Sequence, residues 1–236
     1  MSYVTGSHSM RFGGALTAGN RRNLIVYTGD VAPITFNNGA PVSVTLRLPR
    51  DQSEGIKRDL GLYAQDKWSL GRVTLNLGVR YDNFVGNTQE EDLLAGRFNA
   101  AQHFSKCADG QNSAKNGCVG DVQNWKDISP RFGAAWDVQG NGRTALKFGV
   151  GKYMRAYTTG FADLYDPNIL DTDTRTWSDL NGNNIAELNE LGPSQNLTFG
   201  TKAPRRPADG IRRPYQIEMN ASVQREISTG LSVNVS

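Results

Sequence analysis

Residues 72–83 read RVTLNLGVRYDN and carry the most regular pattern in the chain. Large apolar residues alternate there with polar residues or glycine, at Val73, Leu75, Leu77, Val79 and Tyr81. Because successive side chains of a β-strand point to opposite faces, this alternation puts every large apolar group on one face. The pattern predicts a strand with one apolar face and one polar face.

The same alternation recurs on both sides of several short turns, which is typical of β-hairpins. The predicted hairpins centre on residues 70–72, 139–142 and 228–230, with two weaker ones at residues 6–8 and 36–39. At the last of these, Asn38 and Gly39 suit a type I′ turn. Asp66 is an exception, since it lies on the apolar face of its predicted strand. Together these segments predict about ten strands.

Long polar connections alternate with the short turns and cover roughly residues 18–28, 49–57, 84–127 and 154–213. Compact soluble domains rarely contain structureless connections longer than about 12 to 15 residues. A transmembrane β-barrel, in contrast, has short turns at one end and long loops at the other. The predicted strands, of roughly 10 to 12 residues, also match the roughly 9 to 11 that cross a bilayer. We therefore expect an all-β antiparallel meander that forms part of a transmembrane β-barrel with long external loops.

The composition of the 236 residues narrows the class further. With 38% hydrophobic and 21% charged residues the chain is expected to fold, and 26 glycines against 9 prolines favour turns and strands over helices. The apolar runs are about as short as residues 24–27, whereas a membrane-spanning helix needs roughly 20 apolar residues. A net charge of +3 is too balanced to indicate a nucleic-acid partner.

Two adjacent segments, DLGLYAQDKWSL at residues 59–70 and VTLNLGVRYD at residues 73–82, resemble the barrel hairpin of TonB-dependent outer-membrane receptors. SPRFGAAW at residues 129–136 and YQIEMN at residues 215–220 resemble later barrel strands, especially those of the Oar-like group, whose members carry a carboxypeptidase-regulatory-like domain at the N-terminus. The resemblance implies a location in the outer membrane of a Gram-negative-type bacterium and a barrel of about 22 strands. It also implies an N-terminal plug domain and ligand uptake driven through the TonB complex.

On this resemblance, residues 1–236 are one partial receptor barrel. We expect no plug domain within it. We also expect no signal peptide, because residues 1–8, MSYVTGSH, contain no basic region followed by an apolar segment. Both ends are interpreted as cuts in a longer protein. The expected partners are outer-membrane lipid, an unidentified ligand, and the TonB complex through the plug region of the parent protein. Nucleic acid is not an expected partner.

Two other classes stay open at the level of the sequence. A soluble β-sandwich that binds carbohydrate would bury the apolar alternation as its core. An outer-membrane adhesion or structural protein would use the loops for contact and would transport nothing. The receptor hypothesis assigns ligand selection to residues 84–127 and 154–213 and to polar strand residues predicted to face the lumen: Arg80, Asp82, Arg131, Lys147, Gln216 and Glu218.

Cys107 and Cys118 lie eleven residues apart within the long polar connection at 84–127. In the oxidising compartment that the resemblance implies, we expect them to form a disulfide, whereas a cytosolic protein would keep two free thiols. A zinc site is not expected, because the two histidines, His8 and His103, give no ligand spacing with the cysteines.

Residues 179–190, DLNGNNIAELNE, resemble a calcium-binding loop. Oxygen ligands stand at loop positions one, three, five, nine and twelve, as Asp179, Asn181, Asn183, Glu187 and Glu190. The glycine expected at position six is Asn184, and the apolar residue expected at position eight stands at position seven as Ile185. An Asn/Asp-rich external turn that needs no ion is the favoured interpretation, with a calcium site as the alternative. No other cofactor is expected.

No enzymatic activity is expected. Two distant histidines and the lack of a Gly-x-Ser-x-Gly segment give no support to a hydrolytic triad. The carboxylate pairs Glu90/Glu91 and Asp171/Asp173 are expected to face solvent in loops. The basic pairs Arg205/Arg206 and Arg212/Arg213 are expected to form a solvated loop edge, with contact to an anionic ligand as the alternative.

Overall fold

The computed structural model describes residues 1–108, 118–168, 172–201, 207–208 and 210–236. The fold is all-β, with 63% of residues in strands and 5% in helices. The strands are β1 (Ser2–Thr5), β2 (His8–Ile25), β3 (Val31–Asn37), β4 (Ala40–Arg47), β5 (Arg50–Leu70), β6 (Val73–Thr88), β7 (Glu91–Leu93), β8 (Gln102–Phe104), β9 (Asp121–Asp137), β10 (Thr144–Met154), β11 (Thr172–Thr176), β12 (Tyr215–Ser228) and β13 (Leu231–Val235). Within the described residues, helical structure is limited to α1 (Gly160–Asp163) and two 3₁₀ turns, Thr28–Asp30 and Leu188–Glu190. No helix in these ranges is long and apolar enough to cross a membrane.

Eight strands form the main sheet, an antiparallel meander in the order β1-β2-β5-β6-β9-β10-β12-β13. The short strands β7 and β8 extend it beside the start of β5. One end of the sheet carries the short turns at residues 6–7, 71–72, 138–143 and 229–230. The other end carries three long connections, residues 26–49, 89–120 and 155–214. The predicted antiparallel meander with long loops is thus confirmed, and among the described strands β1 and β13 remain as edges, so the sheet does not close on itself.

The long strands exceed the roughly 10 to 12 residues predicted from the alternation. β2 has 18 residues, β5 has 21 and β9 has 17. Residues 18–25 and 50–57 are therefore strand, and their prediction as polar connections was wrong. Cross-strand charge pairs stabilise this part of the sheet: Arg22 Nε donates to Asp51 Oδ1 at 2.6 Å, and Arg21 pairs with Glu54. Hydrophobic periodicity misses such a segment because its stabilising pairs are polar.

The register aligns alternating residues of neighbouring strands into rows, so the main sheet has an apolar face and a polar face. Leu75, for example, lies opposite Ala134, which in turn lies opposite Phe148. The large side chains of the apolar face remain exposed at Phe12, Leu62, Leu77, Val79, Ile128, Phe132, Trp136, Phe148 and Met219. Asp66 has a polar partner on this face, since its Oδ2 lies 2.6 Å from Nδ1 of His8. A soluble sandwich would bury this face as its core, whereas here the face is exposed.

Strand β4 pairs with β3 and β11 in a separate three-stranded sheet. Asn38 and Gly39 have φ values of 49° and 81°, and the positive φ at both positions is what the predicted type I′ turn requires. This hairpin lies outside the main sheet, although the strand count from sequence had included it among the barrel strands. The alternation in β4 buries Val44 and Leu46 completely.

These two side chains form a small core with Trp177 and Ala186. A neighbouring core contains Leu48, Leu93, Phe104 and Val119. Phe199 packs against both cores and so links them. The described parts of the three long connections therefore pack together at their end of the main sheet, and we call these parts the loop layer.

Trp177 is the largest side chain in the core of the loop layer. It is 1% exposed, and its Nε1 donates to Glu190 Oε2 at 3.2 Å. We expect Trp177→Ala to destabilise this layer by about 3 to 5 kcal/mol, because the substitution leaves a cavity. Amide hydrogen exchange should then accelerate in β4 and β11 while β6 and β9 stay protected. Leu180→Ala, at a side chain that is 73% exposed, is the control, and unchanged protection of β4 in Trp177→Ala would contradict the prediction.

Candidate functional site

The main sheet carries all six sequence-predicted ligand residues on its polar face. Arg131 and Glu218 lie on either side of Gly151 in one row across β9, β10 and β12. Gln216 lies opposite Tyr153 in the next row on that face. Arg80 and Asp82 occupy the polar face of β6, at the level of Ser129 and Asp127 of β9. Lys147 lies further toward the short turns, where its Nζ donates to Gln224 Oε1 at 2.7 Å. The structure thus brings five of the six into two neighbouring groups and leaves Lys147 apart.

The first group is an ion pair held flat against the sheet. Arg80 Nε donates to both carboxylate oxygens of Asp82, at 2.8 and 3.0 Å. Asp82 is only 6% exposed, and Arg80 is its ion-pair partner. The Arg80 guanidinium lies over Gly61 of β5, where a Cβ atom would collide with it. Because Gly61 has no side chain, the Arg80 side chain has room to lie along the polar face of the sheet.

The second group combines a cation with an aromatic ring. The Arg131 guanidinium lies 4.5 Å from the centre of the Tyr153 ring, and Gln216 Nε2 donates to Glu218 Oε1. The Tyr153 ring in turn covers Gly151, where an added Cβ would lie 2.9 Å from the ring. Polar groups on this face are consequently held close to the backbone.

The connection at 155–214 folds back onto the polar face just beyond Asp82. Phe84 and Trp125 lie opposite each other on this face, and the ring of Phe161 from α1 lies 4.7 Å from that of Trp125. Trp125 Nε1 also donates to the carbonyl of Ile211 at 2.8 Å. These contacts bury Phe84, Phe161 and Ala162, so the connection covers the end of the polar face.

Arg213 belongs to this packing. It is 7% exposed, its Nε donates to the carbonyl of Arg155 at 2.7 Å, and its guanidinium lies 5.5 Å from the centre of the Phe84 ring. Its Nη1 lies 3.7 Å from Asp127 Oδ2. The prediction of a solvated edge was wrong for this residue, because a guanidinium can pack its planar face on a ring while its N–H groups keep polar partners. Arg205 and Arg206 lie outside the described residues.

A cluster of buried acidic groups lies between the main sheet and the loop layer. Glu54 is fully buried and pairs with Arg21, whose Nη2 lies 3.7 Å from Asp163 Oδ2. Glu91 Oε2 accepts a hydrogen bond from Ser53 N at 3.0 Å. The prediction that Glu91 faces solvent was therefore wrong, and sequence reasoning missed Glu54 as well. The available signal was the charge complementarity between residues 21–22 and 51–54, which were assigned to loops.

Glu91 and Asp166 form a carboxyl pair within this cluster. Burial, the hydrogen bond to Asp166 and the charge of Asp166 raise the pKa of Glu91 to about 10. Burial also raises the pKa of Asp166 above its usual range. One proton shared between the two carboxyl groups satisfies both, since two bare carboxylates in contact would repel each other. This pair connects β7 to the connection that covers the polar face.

Asp173 anchors the opposite part of the loop layer. Its carboxylate accepts hydrogen bonds from Ser194 Oγ at 2.7 Å and from the backbone N–H groups of Gln195 and Asn196 at 3.0 Å. Burial alone would raise the pKa of Asp173, but these bonds and one from Arg175 hold it below its usual range. Asp173 is therefore buried, contrary to the prediction, and its expected neighbour Asp171 lies outside the described residues.

A disulfide joins Cys107 and Cys118, whose Cα atoms are 5.0 Å apart. Cys107 N also donates to the carbonyl of Val119 at 2.8 Å, and Val119 is part of the small core around Phe104. The disulfide thus closes a short loop within the connection at 89–120, beside the core around Phe104.

The calcium-like segment is held by N–H donors from the protein. The Asp179 carboxylate accepts hydrogen bonds from the backbone N–H groups of Gly182, Asn183 and Asn184. Asn181 and Asn183 donate to the Glu187 carboxylate, and Glu190 accepts from Leu180 N at 2.9 Å and from Trp177. Asn184 has φ 59°, the left-handed conformation that glycine would supply at this position.

Within the described ranges, no group of three or more His, Cys, Asp or Glu side chains is arranged to hold a metal ion. The hydrogen bonds therefore explain this segment as an Asn/Asp-rich turn, and calcium binding by Asp179, Asn181, Asn183 and Glu190 stays a prediction.

A family model described as "Outer membrane beta barrel domain" matches residues 1–236. No curated protein and no solved structure gives a significant match. The matched range includes every strand of the main sheet and the whole loop layer.

The Glu91–Asp166 pair predicts a pH-dependent loop layer. Because the pKa of Glu91 rises from 4.5 to about 10 on folding, its contribution to stability is complete below pH 4.5, falls as the pH rises, and is lost by about pH 10. We expect hydrogen exchange at residues 160–168, corrected for intrinsic rates, to accelerate between pH 6 and pH 9. Glu91→Gln should remove this dependence, because its amide is neutral and can still donate to Asp166. Glu90→Gln, at the exposed neighbouring carboxylate, is the control. An unchanged pH dependence of hydrogen exchange in Glu91→Gln would contradict the prediction.

Removal of calcium should leave the segment at 179–190 intact. N–H groups already satisfy its carboxylate oxygens, so its hydrogen bonds require no ion. We expect the same hydrogen exchange in β11 and residues 177–191 with calcium and after chelation by EDTA. A loss of protection on chelation that Asp179→Ala abolishes would instead establish the calcium site.

Proposed function

This chain belongs to the outer membrane beta barrel domain family, and from this premise we propose that it forms the wall of a TonB-dependent receptor that binds its ligand at the extracellular end. The protein is located in the outer membrane. In barrels of this kind an outward apolar band contacts lipid and the polar residues face the interior. We accordingly assign the apolar face to lipid and the polar face to the lumen.

The exposed apolar residues form a belt of the right height for a bilayer. This apolar belt extends from the row of Val73 and Trp136 to the row of Tyr81 and Ile128. Its length is close to the roughly 9 to 11 residues with which a tilted strand crosses a membrane. β5 and β6 continue beyond the belt only toward the long connections, which corresponds to the extracellular side in this class of barrel.

The observation that carries the proposal is the packing of the connection at 155–214 onto the polar face. Phe161 and Trp125 close this face beyond Asp82, and the ligand groups Arg80/Asp82 and Arg131/Glu218 lie on the same face next to this closed end. A polar face that its own connection closes at one end favours a gated receptor over an open pore, because passage there then requires that connection to move. Energy supplied through TonB would drive such a step.

The remaining parts of the proposal follow from the resemblance to the Oar-like group. Contact with the TonB complex would be made by the plug region of the parent protein. The connections at 89–120 and 155–214 would select the ligand. The role is binding and passage, with no catalytic step and no nucleic-acid partner.

The proposal is tested first with the complete protein that contains this chain. Purified in detergent, it should bind an isolated soluble periplasmic domain of TonB, measured by biolayer interferometry. Heat-modifiable electrophoretic mobility verifies that the barrel is folded. A folded protein that does not bind the TonB domain would overturn the receptor proposal and favour adhesion instead.

Arg131 provides the test of the ligand site. Thermal-shift screening with oligosaccharides, oligopeptides and ferric chelates would identify a stabilising ligand. Arg131→Gln should then weaken binding by about 10-fold or more, since a hydrogen bond to a charged group contributes about 1.5 to 3 kcal/mol. Arg143→Gln, in the short turn at the far end of the sheet, is the control and should bind like the wild type. Equal affinity of Arg131→Gln and wild type would contradict a site on the polar face.

A further inference from the structure

An exposed tyrosine ring lies on the polar face of β5, beside the Arg80/Asp82 pair. Tyr63 lies opposite Arg80 of β6 on one side and opposite Gly13 of β2 on the other. A Cβ atom at Gly13 would lie only 2.5 Å from the Tyr63 ring, so the ring extends across the backbone of this glycine. Tyr63 is 40% exposed, which leaves part of the ring accessible on the polar face.

Two cations follow this ring in the next rows toward the short turns. Arg11 of β2 lies opposite Gln65, one row from Tyr63, and Lys67 lies in the row after that. The side chains of Arg11, Gln65 and Lys67 are all exposed. Alternate residues of a strand are about 7 Å apart, so the ring and the two cations succeed one another at about that spacing.

The neighbouring carboxylates do not neutralise these cations. Neither Arg11 nor Lys67 has an ion-pair partner among the residues that the structure describes. Asp66 faces the apolar side, where it pairs with a histidine, and Asp82 pairs with the arginine of β6. Asp59, the next acidic residue on this face of β5, lies two rows from the ring in the direction away from the cations. The surface beside the ring is therefore positively charged.

The chemistry of this surface suits a sugar acid. The face of a pyranose presents C–H groups that can pack on an aromatic ring, and its rim presents hydroxyl groups to which the Gln65 amide can donate or from which it can accept. A carboxylate on the rim would pair with the Arg11 guanidinium in the next row. A wholly apolar ligand would find no apolar side wall, because Gly13 and Arg80 flank the ring.

We propose that Tyr63, Arg11 and Lys67 form a subsite for an acidic oligosaccharide. The ring stacks against one sugar, and the two cations bind the carboxylates of this sugar and of the next. A linear uronic-acid oligomer suits the site because it repeats one carboxylate per sugar, as the cations repeat along the sheet. This inference rests on the proposed function, since it names the class of ligand that the receptor binds at its polar face.

The test uses the complete protein in detergent and isothermal titration calorimetry. The probes are trisaccharides of galacturonic, glucuronic and mannuronic acid, together with the methyl ester of each. The esters keep the sugar rings and lack the charge. The wild type should bind at least one acid about 10-fold or more tightly than the corresponding ester, because hydrogen bonds to charged groups are the stronger ones.

Two substitutions separate the ring from the charge. Tyr63→Leu should weaken binding of the acid by about 5-fold and keep its preference over the ester, whereas Tyr63→Phe keeps the ring and should bind like the wild type. Arg11→Gln should remove most of the preference for the acid, with a loss of about 10-fold or more in its affinity. Heat-modifiable mobility verifies folding of each variant.

The control variants remove the same groups elsewhere. Tyr3→Leu removes a tyrosine that is 55% exposed opposite Met10 on the apolar face, and Arg143→Gln removes an arginine from a short turn. Both should bind the acid like the wild type.

Four results would overturn the proposal. Folded wild-type protein that binds none of the three acids would exclude the class of ligand, and equal affinity for an acid and its ester would exclude recognition of the carboxylate. Equal affinities of Tyr63→Leu and Tyr3→Leu would exclude the ring. Equal affinity for a triglutamate peptide would show that the site recognises charge alone.

The binding of the TonB domain separates this inference from the proposed function. A protein that binds the TonB domain but no uronic acid would remain a receptor without this subsite. A protein that binds a uronic acid but not the TonB domain would keep the subsite and lose the role in uptake.

Discussion

The antiparallel pairing of β5 with β6 is the constraint on which the other features depend. It extends from the pair Leu70–Val73 at the short turn to the pair Glu54–Thr88 next to the loop layer. Because side chains alternate between faces, a shift of one residue would reverse every position. This register places Arg80, Asp82 and Phe84 on one face and Leu77 and Val79 on the other. The lipid boundary, the polar wall and the attachment of the loops therefore follow from a single hydrogen-bonded ladder.

An irregularity in that ladder creates the acidic cluster. The pairing shifts between Ile56 and Arg58, which changes the parity of β5 beyond this point. Arg58 consequently faces outward, while Ile56 and Glu54 lie opposite Gly86 and Thr88 on the polar face. A regular strand would have turned Glu54 toward the outside. One bulge thus separates the outward-facing Arg58 from the inward-facing carboxyl group of Glu54, which lies next to the loop layer.

Different interactions stabilise the two ends of the sheet. Within the apolar belt the side chains rely on lipid, and the described residues show them exposed on a single-layered wall. Beyond the belt the stability comes from buried aromatic packing around Trp125, from Asp173 and its N–H donors, and from the shared proton of Glu91 and Asp166. Buried polar groups fix one arrangement of the connections because each needs its own partner. These partners therefore hold the connection at 155–214 in one defined position on the polar face.

The sequence by itself determined the all-β class, the alternation of residues 73–81, the short turns and the common face of Arg80, Arg131 and Glu218, because a period of two follows from the geometry of each strand alone. It predicted neither the polar extensions of β2 and β5 nor the burial of Glu91, Asp173 and Arg213. Those depend on partners far away in the chain, such as Arg21 for Glu54 or Phe84 for Arg213. Only the tertiary structure decided them, since the cost of burying a charge is set by the groups that surround it and local sequence does not contain that information.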